Sequence, residues 1–232
     1  MKKFAIAAAA AALLTTTAFA ADLGVISQPA PVGFEPVNNW TGFYAGVFGA
    51  IGAADFELTP VGVPGAGFLS TGRGALGGVQ LGYDYQLDSF VIGAVADIAL
   101  SGVEGRASIG GGLGGFEYNS RLEYLGTVRA RAGFLPTDDL LVYAHGGFAY
   151  GRSNPTVSLG GIAAPGFVAT NRTGWTIGAG LEYAVTENIS VQTEYAYTDL
   201  GSPTVSDAAL LPASATESLK LHTVKAGLNF RF

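Results

Sequence analysis

Through Leu221 to Phe232, and strictly from Thr223 onward, polar or small and apolar residues alternate up to a terminal aromatic residue. Val224, Ala226, Leu228, Phe230 and Phe232 fall on one side of an extended strand, because successive side chains point to opposite faces. Thr223, Lys225, Gly227, Asn229 and Arg231 fall on the other. A strand that is oily on one face and charged on the other suits a wall between lipid and a polar interior. In a soluble sandwich the apolar face would instead be the buried one, so the rest of the chain must decide.

The other end of the chain carries an export signal by its pattern. Lys2 and Lys3 precede an apolar run from Phe4 to Leu14, and Ala18-Phe19-Ala20 puts small residues before a cleavage point at Ala21. The expectation is a signal peptide over 1–20 and a mature chain of 212 residues (232 minus 20). Its formal charge is −8, the −6 of the full chain less the two charges of Lys2 and Lys3. No basic stripe is present, so no nucleic-acid partner is expected. There is no cysteine. An exported chain of this kind has no disulfide staples and no thiolate chemistry. After the signal no run of ~18 apolar residues occurs, which leaves no transmembrane helix. High hydrophobicity spread over alternate positions is instead the mark of a transmembrane β-barrel.

Residues 21–39 hold Pro29, Pro31 and Pro36 and little periodicity, and read as a periplasmic linker. Residues 40–232 read as the barrel. Eight alternating segments are expected, near 40–49, 72–85, 90–98, 120–134, 140–151, 173–184, 189–199 and 219–232. Connections alternate in length. The short ones are 86–89, 135–139 and 185–188, and the long ones are 55–71, 99–119, 152–172 and 200–218. Short periplasmic turns and long outer loops are what an outer-membrane barrel uses. The fold expected is all-β: an eight-stranded antiparallel up-and-down transmembrane β-barrel.

Parity then sorts the side chains. Ile92, Leu122, Tyr124, Val128, Val142, Trp175, Leu181 and Tyr195 are expected to face lipid. The inward set is four acids, Asp97, Glu123, Glu182 and Glu194, against four bases, Arg129, Arg131, Lys225 and Arg231, with His145 among them. Charges of both signs in a narrow lumen should pair, because an unpaired buried charge is costly. Eight strands leave room for side chains and little else, so a polar plug is expected rather than an open pore. Trp40 and Phe43, with Phe230 and Phe232, are expected in the periplasmic aromatic girdle, and Tyr195 and Tyr197 in the outer one.

Other signals are weak. Gly72-Arg73-Gly74-Ala75-Leu76-Gly77 has the letters of a dinucleotide fingerprint, but no helical period follows it. The two histidines, His145 and His222, have no partner residues at metal-ligand spacing. His222 is expected near the outer rim, where it or Tyr118 could meet a surface ligand such as haem. No cofactor, metal site or catalytic set is expected.

Several segments resemble one family. They are Trp40-Thr41-Gly42-Phe43-Tyr44, Leu125-Gly126-Thr127-Val128-Arg129-Ala130-Arg131, Gly174-Trp175-Thr176-Ile177-Gly178-Ala179-Gly180-Leu181-Glu182-Tyr183, Glu194-Tyr195-Ala196-Tyr197-Thr198-Asp199-Leu200-Gly201 and His222 to Phe232. These are similar to the small outer-membrane β-barrel proteins of alphaproteobacteria, the porin-family or opacity-like proteins, over about residues 38–232. The resemblance implies an abundant envelope protein without catalytic residues. Some members bind haem or host surfaces and a few form pores. It also implies that Phe230 and Phe232, at the end of the last strand, are read by the barrel assembly machinery. The third strand departs from the family's Gly-x-Glu-x-Asp, reading Gly93-Ala94-Val95-Ala96-Asp97. Three functions follow as expectations: a structural envelope barrel whose loops make surface contacts, a small-solute porin, or a receptor for haem or a host ligand. Its partners would be outer-membrane lipid and the assembly machinery.

Overall fold

The computed structural model describes residues 38–60, 68–109, 116–159, 162–163, 170–202, 204–205 and 215–232. The predicted signal peptide, with Ala18, Ala20 and Ala21, and most of the predicted linker lie outside the described residues.

The alternating segments form strands that pair in chain order, each antiparallel to the next. They are β1 (Gly42–Pro60), β2 (Phe68–Leu87), β3 (Phe90–Ser101), β4 (Glu104–Ile109), β5 (Phe116–Thr137), β6 (Leu140–Leu159), β7 (Ile162–Ala163), β8 (Thr170–Ala184), β9 (Ile189–Asp199), β10 (Thr204–Val205) and β11 (Ala215–Arg231). β4 continues the course of β3 after a break at Gly102 and Val103, and pairs with both β2 and β5. β7 and β10 are two-residue additions at the outer end. The wall therefore has eight staves, and β1 closes it by pairing with β11 from Tyr44↔Arg231 to Pro60↔Ala215. Among the described residues, closure leaves no unpaired sheet edge at the level of the apolar belt, which is what a wall in lipid requires.

The strands run further outward than the sequence suggested. Residues 55–60, 68–71, 104–109, 116–119 and 152–159, expected in loops, are strand. The alternation there is hidden because both faces of the wall meet different surroundings above the membrane than within it.

Outward side chains define the membrane level. On β1 they are Phe43, Ala45, Val47, Gly49, Ile51 and Ala53, followed by Asp55 and Glu57. Phe43, Val47 and Ile51 are 59%, 59% and 69% exposed. Ten residue steps span roughly 33 Å along a strand, or ~25 Å along the normal at a tilt of ~40°, the height of an outer-membrane apolar band. Such a belt of exposed apolar side chains needs lipid to cover it.

Two apolar clusters occupy the lumen. The outer one contains Phe56, Leu76, Val103, Leu122, Leu200, Leu219 and Leu221. The periplasmic one contains Trp40, Val91, Leu135, Leu141 and Tyr143. Trp40 is thus inside the barrel, 2% exposed, and not in the lipid-facing girdle as expected. Its indole Nε1 donates to Asp138 O at 2.9 Å, and its backbone N–H donates to Gln86 Oε1 at 2.9 Å. Those bonds draw residue 40 across the periplasmic mouth before the wall begins.

Candidate functional site

Between the two apolar clusters lies a layer of buried charge. Its members come from inward positions of β2, β3, β5, β6, β8, β9 and β11, and small residues make room for them. At Gly180 a Cβ would sit 2.7 Å from the Tyr143 ring, and at Gly178 one would sit 2.5 Å from His145 Nε2.

The layer has two centres. In the periplasmic one, Arg131 Nε donates to Asp84 Oδ1 at 2.7 Å and Nη1 to Glu182 Oε2 at 2.8 Å, and Nη2 also pairs with Asp84. Arg231 Nη2 donates to Asp84 Oδ2 at 3.0 Å, and Nη1 donates to Trp40 O. The Arg131 guanidinium lies 4.7 Å from the Tyr44 ring and 5.2 Å from the Tyr143 ring. Glu182 also accepts from Ser190 Oγ at 2.6 Å and Asn229 Nδ2 at 2.9 Å. In the outer centre, Arg129 donates to Glu194 at 2.6 Å and to Asp97 at 2.7 Å. Lys225 Nζ lies 3.0 Å from Glu194, Tyr143 Oη donates to Glu194 at 3.1 Å, and His145 Nε2 is 3.4 Å from it. Gln80, Gln192 and Asn229 bond to one another between the centres, Gln80 Nε2 donating to Asn229 Oδ1 at 2.6 Å. Asp84, Asp97, Glu182 and Glu194 therefore meet Arg129, Arg131, Lys225 and Arg231 with formal charges in balance. A balanced and hydrogen-bonded set is the arrangement that offsets the cost of removing these ions from water.

Glu123 is not in this layer. A β-bulge falls between Leu122 and Tyr124, where Leu122 pairs with Ser153 and Tyr124 with Arg152. The extra residue is Glu123, and it inverts the parity of everything above it. Leu122, expected to face lipid, is fully buried inside, and Arg121 is turned outward. Glu123 sits half-exposed, 3.6 Å from Arg152 and accepting from Asn154 at 3.2 Å. The fourth lumen acid is Asp84. The same parity rule finds it on β2, where Val79, Leu81 and Tyr83 face out and Gln80 and Asp84 face in. Buried Arg172, whose Nε donates to Ser153 Oγ at 2.7 Å, gives no such signal, because it lies in a segment that reads as a loop.

The lipid face carries aromatics at two levels. Near the periplasm, the rings of Phe43 and Tyr83 are 4.7 Å apart and those of Phe230 and Phe232 5.3 Å apart. At the outer level, Trp175 and Tyr197 lie 5.4 Å apart, and Tyr124 and Tyr150 6.4 Å apart. His222 belongs to this outer girdle. Its Nδ1 is 2.7 Å from Tyr195 Oη and its ring 5.0 Å from that of Tyr197. The backbone of Tyr118 lies in β5 rather than in a loop, and its side chain is outside the described residues.

A closed antiparallel wall with a lipid-height apolar belt, two aromatic girdles and a filled polar interior defines a transmembrane β-barrel. Residues 6–232 match the family described as outer membrane protein beta-barrel domain, and the chain belongs to that family. It is 39% identical over 251 residues to the 31 kDa outer-membrane immunogenic protein of Brucella melitensis, across 99% of this chain and 100% of that one. It is 31% identical over 229 residues to the 22 kDa outer membrane protein of Rhizobium leguminosarum bv. viciae, across 99% of this chain and 94% of that one. Among solved structures, the outer membrane protein OprG from Pseudomonas aeruginosa matches with a TM-score of 0.51 at 14% identity, covering 84% of this chain and 98% of that one, a likeness of fold alone. The protein is thus a small outer-membrane β-barrel of the alphaproteobacterial type, located in the outer membrane with lipid around its wall.

Proposed function

We propose that the protein is a structural component of the outer membrane: a closed-lumen barrel that presents its outer end for surface contacts. The observation that carries this reading is the filling of the lumen at three successive levels. The Trp40 cluster lies across the periplasmic end, the charged layer spans the middle, and the Phe56–Leu122–Leu221 cluster fills the outer end. The cavity between the charged and outer layers is about 40 Å³ and is lined by Asp97, Arg129 and Lys225 among others. That holds a water or two and not a hydrated solute. A rigid wall of this kind leaves recognition to the outer end. Single-channel recording of the refolded mature protein in a planar bilayer tests the reading. Silence is expected. Steady, reproducible steps overturn it in favour of a small-solute porin, with Arg129, Arg131, Glu182 and Lys225 as the selectivity residues. In the haem-receptor alternative the exposed histidine is His222, held in the outer girdle with Nδ1 2.7 Å from Tyr195 Oη. No catalytic role is part of this reading.

The same reading includes export and assembly. Residues 1–20 act as the signal peptide in this reading, so N-terminal sequencing of the mature protein should find Ala21. Residues 21–39 form the periplasmic linker and 40–232 the barrel domain. Phe230 and Phe232 present the last strand to the assembly machinery, since an extended terminal strand can be recognised by pairing with another sheet. Phe232 points outward at 73% exposure, with its ring against that of Phe230. Phe232→Ala therefore lowers the amount of heat-modifiable protein in the outer membrane while leaving the refolded barrel as stable as the parent. Normal insertion of the variant would remove this part of the proposal.

A further inference from the structure

The chain's basic residues are distributed with a strong directional bias. Apart from Lys2 and Lys3, five of its bases are inside the barrel: Arg129, Arg131, Arg172, Lys225 and Arg231. The other five, Arg73, Arg106, Arg121, Arg152 and Lys220, all point outward just above the apolar belt. The periplasmic turns carry Asp88, Asp138, Asp139 and Glu187 and no base. Arg73 follows outward Ala75 on β2, and Arg152 follows Tyr150 of the outer girdle on β6, two residues in each case. Two residues are ~7 Å along a strand, so these side chains lie at headgroup height in the outer leaflet. Four of the five sit on the adjacent staves β2, β4, β5 and β6.

Above this level β4, β5 and β6 continue as a three-stranded sheet, with Glu104↔Arg121, Arg106↔Asn119 and Arg121↔Asn154 as neighbours. Its outward face is concave and encloses about 520 Å³, lined by Arg106, Glu117, Asn119, Arg121, Asn154 and Thr156 among others. That is the size of an ordinary small-molecule site, although the side chains that line this one are polar. Arg106 and Arg121 are 78% and 60% exposed in their side chains, and their contacts with Glu104 are loose, at 3.4 and 3.6 Å. Exposed pairs of that geometry hold an arginine weakly, which leaves its fork of N–H donors available to a phosphate. Asn119, Asn154 and Thr156 can each both donate and accept, and Glu117 accepts, as sugar hydroxyls require.

We propose that this concave face of β4–β5–β6, centred on Arg106 and Arg121, docks the phosphorylated sugar headgroup of an outer-leaflet glycolipid. The bulge at Glu123 is what makes the site. By inverting parity it turns Arg121 out of the barrel and into the same face as Arg106. The proposal rests on the placement of the wall in the membrane and not on closure of the lumen, so the conductance result does not bear on it.

The experiment is a titration of the refolded mature protein, in detergent, with diphosphorylated lipid A and with the same glycolipid after enzymatic dephosphorylation, read by native mass spectrometry. Tighter binding of the phosphorylated form is expected, by about ten-fold, with a similar loss in the Arg106→Ala/Arg121→Ala variant. Lys220→Ala, on the opposite stave, should bind as the parent does. Equal binding of both glycolipids by the unaltered protein overturns the proposal and needs no variant to fold. Equal loss in Lys220→Ala overturns it as well, since the attraction would then be diffuse charge. Binding of soluble heparin through Arg106 and Arg121, with no binding of lipid A, would reassign the face to a soluble polyanion and overturn it too. Heat-modifiable migration on a gel reports that each variant has folded.

Discussion

The barrel has two regions built from the same strands, and they place their apolar side chains on opposite faces. At membrane level, β11 turns Val224, Ala226 and Leu228 outward and Lys225, Asn229 and Arg231 inward. Higher on the same strand, Leu219 and Leu221 point inward and Lys220 outward. Its register with β1 is unbroken throughout, so no bulge causes the change. What changes is the medium outside the wall. Lipid selects an apolar exterior and tolerates a polar lumen. Water selects a polar exterior, and the lumen then becomes the place where the hydrophobic effect acts. The phase of the apolar residues shifts between Leu221 and Val224 because the membrane ends there.

β1 and β5 solve the same problem differently. On β1 the sequence itself changes phase, from outward Val47 and Ile51 to inward Ala54 and Phe56. On β5 the sequence keeps its phase, with apolar residues at even positions from Ala132 to Leu122. There the backbone changes instead, and the bulge at Glu123 carries Leu122 into the lumen. This explains which parts of the molecule were legible beforehand. Parity alone assigned Asp97, Arg129, Arg131, His145, Glu182, Glu194, Lys225 and Arg231 to inward positions, because lipid demands strict alternation. It assigned Glu123 inward too, because a bulge leaves no mark in the order of residues. Asp84 was readable by the same rule on β2. The outer apolar cluster was not read at all, because its strands alternate in a phase that suggests loop when judged by the membrane's rule. The burial of Trp40 was hidden for a different reason. It depends on hydrogen bonds to Gln86 and Asp138, which lie 46 and 98 residues away.

The largest effect is expected from breaking the charged layer. Arg131→Ala leaves Asp84 and Glu182 without their shared cation in a buried place, and removing one partner of such a set costs ~3–5 kcal/mol. Urea unfolding of the protein refolded in lipid vesicles should show a loss of that size. A loss below ~1 kcal/mol would mean that water reaches the layer, which would weaken the contrast between a dry lumen and a wet exterior. Next comes the outer apolar cluster. Leu122→Ala should cost ~2–5 kcal/mol, as for a packed core leucine. A lipid-facing Leu122 would show little, since lipid fills the space that a truncated side chain leaves. The two exteriors can be compared directly by placing one lysine at each level. Val47→Lys puts a charge on the lipid face near mid-membrane and should cost ~2–4 kcal/mol. Thr71→Lys, outward on β2 beside Asp55, should stay within ~0.5 kcal/mol of the parent, as an exposed substitution does. Equal costs at the two sites would misplace the membrane boundary.

The smallest effect separates the bulge from a regular strand. If β5 ran without the extra residue, Glu123 would point into the lumen two positions above Leu125, among the side chains of the outer apolar cluster. Glu123→Gln would then alter a buried charge, as Asp97→Asn does by loosening Arg129. With the bulge, Glu123 meets only Arg152 and Asn154 at the water-exposed exterior, and an exposed pair of that kind contributes ~0–1 kcal/mol. The expected result is a Glu123→Gln barrel within ~1 kcal/mol of the parent beside an Asp97→Asn barrel that is clearly weaker. The first variant's small loss should also vanish in high salt, because screening acts on exposed charges and hardly on buried ones. A salt-insensitive loss at Glu123 as large as that at Asp97 would return Glu123 to the lumen. It would remove the bulge, and with it the reason that Arg121 stands outside the wall.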